Sequence, residues 1–214
     1  MVKQAPSLYP DIQAFVASLS SSFEEISSER RALLHQLATY ISQQERTGMP
    51  TDMIFICTHN SRRSHFGQIW AKVLANSYGF DKVQTYSGGT ESTAFHPHAI
   101  RALRGQGFQI EGDLQQENPH YQVQYGTNIP PIEAWSKVYS DPTNPQQGFC
   151  AIMTCDEANE ACPIVFGAAH RIPLTYVDPK VSDGTPQQAE IYTARSRQIA
   201  TEMAFVFAQV TQNL

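Results

Sequence analysis

A cysteine and an arginine six positions apart, Cys57 and Arg63, form the clearest chemical pattern in this sequence. They lie in the segment Cys57-Thr58-His59-Asn60-Ser61-Arg62-Arg63-Ser64, which has the form C-x5-R-S. A loop of this kind presents successive backbone N–H groups to one tetrahedral oxyanion and aims the N-terminus of the following helix at the same point. The same field favours the thiolate form of Cys57, which makes it a candidate nucleophile.

Two other side chains of the loop have chemistry that suits an anion site. Arg63 can donate two parallel N–H bonds to two oxygens of a phosphate-like group. Ser64 can hydrogen-bond the thiolate. We therefore predict that residues 58–64 bind the oxyanion and that Cys57 attacks it.

The other members of the loop have less specific interpretations. His59 and Asn60 belong to residue types that tolerate a positive φ, so we expect a conformational role for them before a catalytic one. Arg62 is expected to be an ordinary solvated side chain.

The loop lies between two elements that the sequence predicts clearly. Met53 to Ile56 is a short apolar run, typical of a strand that is buried on both faces. After the loop, apolar side chains recur at helical spacing, and Gly79 stands where such a helix would end. These apolar positions are Phe66, Ile69, Trp70, Val73 and Leu74.

The rest of the chain alternates strands and helices in the same way. The expected strands cover residues 83–86, 149–154 and 172–177, and the expected helices begin at His96-Pro97, Asp156 and Thr185-Pro186. The His-x-His pair at His96 favours capping over metal binding. Alternation of this kind predicts an α/β fold, a four-stranded parallel sheet with helices on both faces. Cys57, Cys155 and Asp178 each follow a predicted strand, where reactive loops of such sheets lie.

Two segments stand outside this alternation. Residues 1–50 are expected to form a helical N-terminal extension, with Ser22 and Glu25 as a capping pair and an apolar stripe for packing. Residues 51–214 would then form the catalytic domain. Within it, residues 111–148 are rich in Gln, Asn, Pro and Tyr without a sustained period, and are interpreted as a surface insertion.

Composition narrows the class of protein. The 214 residues carry a net charge of -5 with no dense Lys/Arg run, which argues against a nucleic-acid or membrane-surface protein. No apolar run is long enough for a spanning helix and no signal-peptide layout is present, so a cytoplasmic protein is expected. Four clustered cysteines in a reducing compartment indicate catalytic, redox or metal-binding groups more than a disulfide framework.

These motifs resemble the low-molecular-weight protein tyrosine phosphatase superfamily, and more closely its thioredoxin-coupled arsenate reductase branch. The resemblance covers residues 53 to about 210. The motifs that carry it are Cys57 to Ser64, Ser87-Gly88-Gly89-Thr90, His96-Pro97-His98-Ala99-Ile100 and Asp178-Pro179. It implies that Asp178 is the general acid for a leaving group, although a carboxylate before proline is also an ordinary turn former.

The segment from Cys155 to Cys162 looks like the redox segment of the reductases. The resemblance implies a relay in which Cys57 attacks arsenate, Cys155 expels arsenite, and Cys162 takes Cys155 into a disulfide that thioredoxin reduces. A seven-residue separation permits such exchange. A zinc site is the rival interpretation, but the spacing is wider than C-x2-4-C and no partner pair stands nearby, so no bound metal or cofactor is expected. Cys150, inside a predicted strand, is interpreted as a core residue.

Three functions are therefore considered. The leading one is thioredoxin-coupled reduction of arsenate to arsenite. The alternative is hydrolysis of phosphomonoesters, with phosphotyrosine as the expected substrate, through a Cys57 phosphoenzyme with Asp178 as general acid. A catalytically idle module that keeps the anion pocket is the third.

Overall fold

The computed structural model describes residues 7–162 and 164–214. Its strands are β1 (Ser7–Leu8), β2 (Thr51–Cys57), β3 (Val83–Gly89), β4 (Gln109–Gly112), β5 (Tyr121–Gln124), β6 (Gly126–Thr127), β7 (Ile132–Ala134), β8 (Phe149–Met153) and β9 (Ala168–Pro173). Its α-helices are α1 (Pro10–Ser18), α2 (Ser28–Thr47), α3 (Arg63–Ser77), α4 (Pro97–Gly105), α5 (Asp156–Ala161) and α6 (Gln188–Asn213). Its 3-10 helices cover Leu19–Glu25 and Pro179–Ser182.

The centre of the fold is a four-stranded sheet in the order β3-β2-β8-β9, with all neighbouring strands parallel. Strand β2 is flanked on both edges, so that Phe55 pairs with Ser87 on one side and Ile152 on the other. Its apolar run is buried on both faces, as a central parallel strand requires. The predicted α/β fold class is confirmed.

Alternation along β2 divides the core into two layers. Met53 and Phe55 face the larger cluster, which includes the buried sides of α2, α3, α4 and α6. Ile54 and Ile56 face the opposite way, into a smaller cluster that also contains Cys57 and Ala158 of α5. Because successive side chains of a strand point to opposite faces, the order of residues in β2 decides which layer each of them enters.

The N-terminal segment is helical, but it begins differently from the prediction. Ser22 lies inside the 3-10 helix, and the helix α2 is instead capped by Ser27, whose Oγ accepts from the Arg30 backbone N at 3.2 Å. Leu34 and Leu37 of α2 are fully buried in the larger cluster. The arm is therefore part of the main core.

The segment expected to be a surface insertion contains regular structure. Strands β4, β5 and β7 form an antiparallel sheet, and β6 pairs with β1 of the arm. Tyr121, Val123 and Ala134 of this sheet are buried. The interpretation as a loop over the surface was wrong because strands of two to four residues contain too few alternations to give a period.

Two predicted boundaries near the carboxyl end also move. Strand β9 covers Ala168–Pro173 in place of residues 172–177, and the segment after it is irregular. Helix α6 begins at Gln188, three residues after the predicted cap Thr185, and Gln188 Oε1 accepts from the Gly184 N at 2.9 Å. Among the helices of the described residues, none is long and apolar enough to cross a membrane.

Candidate active site

Cys57 ends β2 and stands at the N-terminus of α3. The residue is 4% exposed, and its Sγ lies 3.1 Å from Ser64 Oγ in the first turn of that helix, the contact expected from the sequence. Asn60 Nδ2 donates to the same Ser64 oxygen at 2.8 Å. The serine hydroxyl is thus oriented by Asn60 so that it can donate to the sulfur.

Arg63 is held on one side of the loop. Its Nη1 donates to the Tyr176 backbone oxygen at 2.8 Å, and its Nη2 donates to Asp178 Oδ2 at 2.7 Å. The remaining donor, Nε, is buried and has no hydrogen-bond partner within residues 7–162 and 164–214. The bonds of the other two nitrogens fix the direction of the guanidinium.

Asp178 stands opposite the loop as the cap of the 3-10 helix Pro179–Ser182. Its Oδ1 accepts from the Lys180 N at 3.0 Å, while Oδ2 is bound to Arg63. The side chain is 26% exposed and lies 4.0 Å from Arg62 Nε. The predicted acid is therefore at the mouth of the loop, with both carboxylate oxygens already engaged.

Arg62 is not the solvated side chain that was expected. Its side chain is 11% exposed, its Nε donates to the Tyr192 hydroxyl at 2.8 Å, and its Nη2 lies 3.6 Å from Asp183. Tyr192 in turn donates to Asp183 at 2.8 Å, and burial raises the pKa of Tyr192 to about 12. The partners of Arg62 come from α6 and the loop before it, more than a hundred residues away, and no local pattern indicates them.

The middle of the loop is shaped by a part of the chain that the sequence did not connect with it. Asn60 has a φ of 44°, as its residue type allows, and its Oδ1 accepts from the Lys137 N at 2.9 Å. The backbone oxygen of His59 accepts from Ser136 Oγ at 2.9 Å. Ser136 and Lys137 belong to the segment after β7, so the supposed insertion supports the oxyanion loop.

The end of β3 lies against the beginning of the loop. The Thr90 N donates to the Cys57 backbone oxygen at 3.1 Å, and the Glu91 N donates to the Thr58 oxygen at 2.9 Å. A Cβ on Gly89 would lie 2.2 Å from the Glu91 oxygen and 2.6 Å from the Thr58 oxygen. The glycine is therefore required by the close approach of two backbones.

Two histidines near the loop have structural positions. The His96 N donates to the Ser61 backbone oxygen at 2.9 Å, and the His96 ring caps α4, as predicted. Burial lowers the pKa of His96 to about 4. His65 is fully buried behind the loop, stacked on Phe95, and burial lowers its pKa to about 3. Both rings are therefore neutral near pH 7.

Cys155 stands close to the loop, at the N-terminal end of α5. Its sulfur caps this helix by accepting from the Ala158 N at 3.4 Å, and it lies 3.5 Å from Thr58 Oγ1. The residue is fully buried in the same cluster as Cys57. Burial raises the pKa of the Cys155 thiol, and the hydrogen bond from Thr58 partly offsets this effect.

Cys162 lies at the other end of the six-residue helix and packs partly buried against the same cluster. Its backbone oxygen accepts from Arg171 Nε at 3.1 Å. Seven residue-to-residue steps along the helix separate the Cα atoms of Cys155 and Cys162 by roughly 10 Å, whereas a disulfide needs them within about 7 Å. All four thiols are free in this state.

Cys150 belongs to the opposite layer. It is fully buried in β8, within the larger cluster, and burial raises its pKa to about 12. Its interpretation as a core residue agrees with this position. In the part of the chain that the structure describes, no three His, Cys, Asp or Glu side chains are grouped so that they could hold a metal ion.

Comparison with known proteins finds similarity to phosphotyrosine phosphatases and to arsenate reductases. The family model of the low molecular weight phosphotyrosine protein phosphatases matches residues 52–123. An arsenate reductase of Bacillus licheniformis is 26% identical over 155 residues, covering 72% of this chain and 93% of that relative. A glutaredoxin arsenate reductase of Synechocystis is 27% identical over 99 residues, covering 42% of this chain and 72% of that relative. A crystal structure of a low molecular weight phosphotyrosine phosphatase from Vibrio cholerae has 14% identity and a TM-score of 0.49, covering 76% and 97% of the two chains.

The region matched by the family model contains the two segments that build the anion loop. These are Cys57 to Ser64 and the segment from Ser87 to Thr90. The chain is therefore similar to the low molecular weight phosphotyrosine protein phosphatases over residues 52–123, and to arsenate reductases over a longer part of its length.

Proposed function

We propose that this chain reduces arsenate to arsenite, with thioredoxin as the external reductant and residues 51–214 as the catalytic domain. The observation that carries the proposal is the position of Cys155, whose sulfur lies 3.5 Å from Thr58 of the oxyanion loop. Hydrolysis of a phosphomonoester needs no second thiol at this point. The names of the related arsenate reductases support the same substrate.

The proposed relay has four steps, in each of which atoms and electrons balance. The Cys57 thiolate displaces one oxygen of bound arsenate, which leaves as water, and a sulfur–arsenic(V) bond forms. The Cys155 thiolate attacks the Cys57 sulfur, and the electron pair of the sulfur–arsenic bond remains on arsenic, which leaves as arsenite. The Cys162 thiolate attacks the Cys155 sulfur and releases the Cys57 thiolate. Thioredoxin then reduces the Cys155–Cys162 disulfide by thiol exchange.

The third step requires helix α5 to open. Its two terminal cysteines are too far apart while the helix is intact, so Cys162 reaches Cys155 only when the turns between them unwind. The helix is short, and Glu157 and Glu160 are exposed, so little buried apolar surface opposes this change.

A Cys162→Ser variant is expected to release one arsenite per enzyme and then stop, because its Cys57–Cys155 disulfide has no third thiol to resolve it. Steady-state turnover should fall to on the order of 1% of wild type. The measurements are arsenate-dependent NADPH consumption with thioredoxin and thioredoxin reductase, and arsenite released in a single turnover.

The matched control is Cys150→Ala, which removes a thiol from the opposite layer. It should lower the free energy of unfolding by about 1 kcal/mol and leave turnover close to wild type. Undiminished multiple turnover by Cys162→Ser would rule the relay out. Replacement of thioredoxin by a glutaredoxin system in the same assay tests the choice of reductant.

Hydrolysis of phosphomonoesters is the second candidate, and the position of Asp178 favours it. The carboxylate lies at the mouth of the loop, 2.7 Å from Arg63 Nη2. A proton donor in this place could serve a leaving alkoxide or phenoxide. To donate that proton, the Asp178 carboxyl would have to give up its hydrogen bond with Arg63 when an oxyanion binds.

An Asp178→Asn variant distinguishes a role of Asp178 as general acid from a role as an anchor for Arg63. Hydrolysis of phenyl phosphate should fall by roughly 10²- to 10⁴-fold, and hydrolysis of p-nitrophenyl phosphate by much less, because a good leaving group needs no proton. Asp183→Asn, the neighbouring carboxylate bound to Tyr192, is the control and should not distinguish the two esters. Equal losses for both esters in Asp178→Asn would refute the acid role.

A further inference from the structure

The groups that hold Arg63 lie on a segment without regular secondary structure. Strand β9 ends at Pro173 and the next 3-10 helix begins at Pro179, yet the Tyr176 oxygen and the Asp178 carboxylate between them receive both Nη atoms of Arg63. One backbone bond, from the Tyr176 N to the Thr154 oxygen at 3.1 Å, ties this segment to the sheet. Its position therefore depends also on where the Tyr176 side chain is fixed.

The Tyr176 side chain is fixed from two directions. Its hydroxyl donates to Glu202 Oε2 of helix α6 at 2.7 Å. The guanidinium of Arg30, from helix α2 of the N-terminal arm, lies over its ring at 4.5 Å from the centroid. Burial raises the pKa of Tyr176 well above its usual value, so the hydroxyl stays a donor.

Glu202 and Arg30 connect the Tyr176 side chain to helix α6 and to the N-terminal arm. Arg30 donates through Nε and Nη2 to Glu202 Oε2, at 2.9 and 2.7 Å, and Gln198 donates to the other carboxylate oxygen at 3.2 Å. The two charged side chains are only 17% and 4% exposed. A carboxylate buried to this degree is costly without a cationic partner, and Arg30 is the cation hydrogen-bonded to Glu202 beside Tyr176.

We infer that Arg30 of the N-terminal arm is a positioning residue for the oxyanion loop. Through Glu202 and the Tyr176 side chain it holds the backbone oxygen that orients Arg63, and so keeps the Arg63 Nε directed at the bound anion. The inference rests on the proposed binding of an oxyanion by this loop. It applies to arsenate reduction and phosphomonoester hydrolysis alike, because both begin with the anion held by Arg63.

The test measures binding of inorganic phosphate by calorimetry, together with thermal unfolding of the same samples without phosphate. Arg30→Gln and Tyr176→Phe should each weaken phosphate binding about 3- to 10-fold, as expected for the loss of one fixed hydrogen-bonding group. Tyr176→Phe keeps the ring under Arg30, so it reports on the hydroxyl even if Arg30→Gln folds poorly. Arg30→Lys should restore part of the affinity.

The matched control is Arg31→Gln in the same helix. Arg31 donates to the Ile26 and Phe23 backbone oxygens, at the start of the arm. Its substitution should lower the unfolding temperature but leave phosphate affinity within about twofold, since the described contacts of Arg31 are with the start of the arm and the Phe205 ring and include no hydrogen bond to Tyr176 or Glu202. Wild-type affinity in both Tyr176→Phe and Arg30→Gln, with affinity lost in Arg63→Met, would overturn the inference. Retention of affinity in Arg63→Met would overturn the oxyanion site itself.

Discussion

Cys57→Ser is expected to abolish turnover of both arsenate and aryl phosphates while inorganic phosphate still binds. The loss should be on the order of 10⁴-fold or more, because a serine hydroxyl stays protonated and needs a general base to act as a nucleophile. The one side chain hydrogen-bonded to the Cys57 sulfur among the described residues, that of Ser64, is not such a base. The nearby His65 is buried with its Nδ1 directed at Ser87.

The measurement is kcat for arsenate and for p-nitrophenyl phosphate, with phosphate affinity determined on the same preparation. Retained phosphate binding would show that the loop is intact, since we propose that backbone N–H groups and Arg63 make those contacts. Cys150→Ala serves again as the control for removal of a buried thiol. Turnover by Cys57→Ser within tenfold of wild type would exclude this residue as the nucleophile.

Arg63→Met should give the second-largest effect, a loss of kcat/KM on the order of 10²- to 10³-fold for either substrate. The substitution removes a donor to the oxyanion and also releases Asp178, whose Oδ2 is bound to Arg63 at 2.7 Å. Arg63→Lys is expected to recover little. An ammonium group cannot reproduce the fixed arrangement in which two nitrogens are anchored and a third stays free.

The adjacent arginine provides the matched control. Arg62 is the neighbour of Arg63 in sequence, but its guanidinium is bound to Tyr192 and lies near Asp183. Arg62→Met should lower the unfolding temperature with a loss of kcat/KM below about tenfold, because it supports the wall of the site and not the anion. An equal loss in the two variants would show that Arg63 has no special part in catalysis.

The parts of the fold that the sequence predicted well are those with strong local periodicity. Strand β2 has a continuous apolar run, and α3 has apolar residues at helical spacing along its length. The short helix α5 begins at Asp156, where the alternation of strands and helices predicted it. Strands β4, β5 and β7 were missed because each is too short to show a period.

The partners of the loop residues could not be predicted from local sequence patterns. Ser136 and Lys137 hold the middle of the loop, and neither belongs to a motif that marks it as part of a site. Arg62 was expected in solvent, yet its charge is met by groups more than a hundred residues away. Such contacts depend on how the layers pack, which no stretch of ten or twenty residues encodes.

The sequence by itself determined the candidate reactive groups of this protein: a thiol at the end of a buried strand, an arginine at the start of the next helix, and a second pair of thiols spaced across a short helix. These features are local, because backbone conformation and side-chain type are set within a few residues. Only the tertiary structure decided that Cys155 lies beside Thr58, that Arg63 is anchored by Tyr176 and Asp178, and that Arg30 of the N-terminal arm reaches that anchor. Those are contacts between distant segments, made by packing on the sheet and therefore visible only when the whole chain is folded.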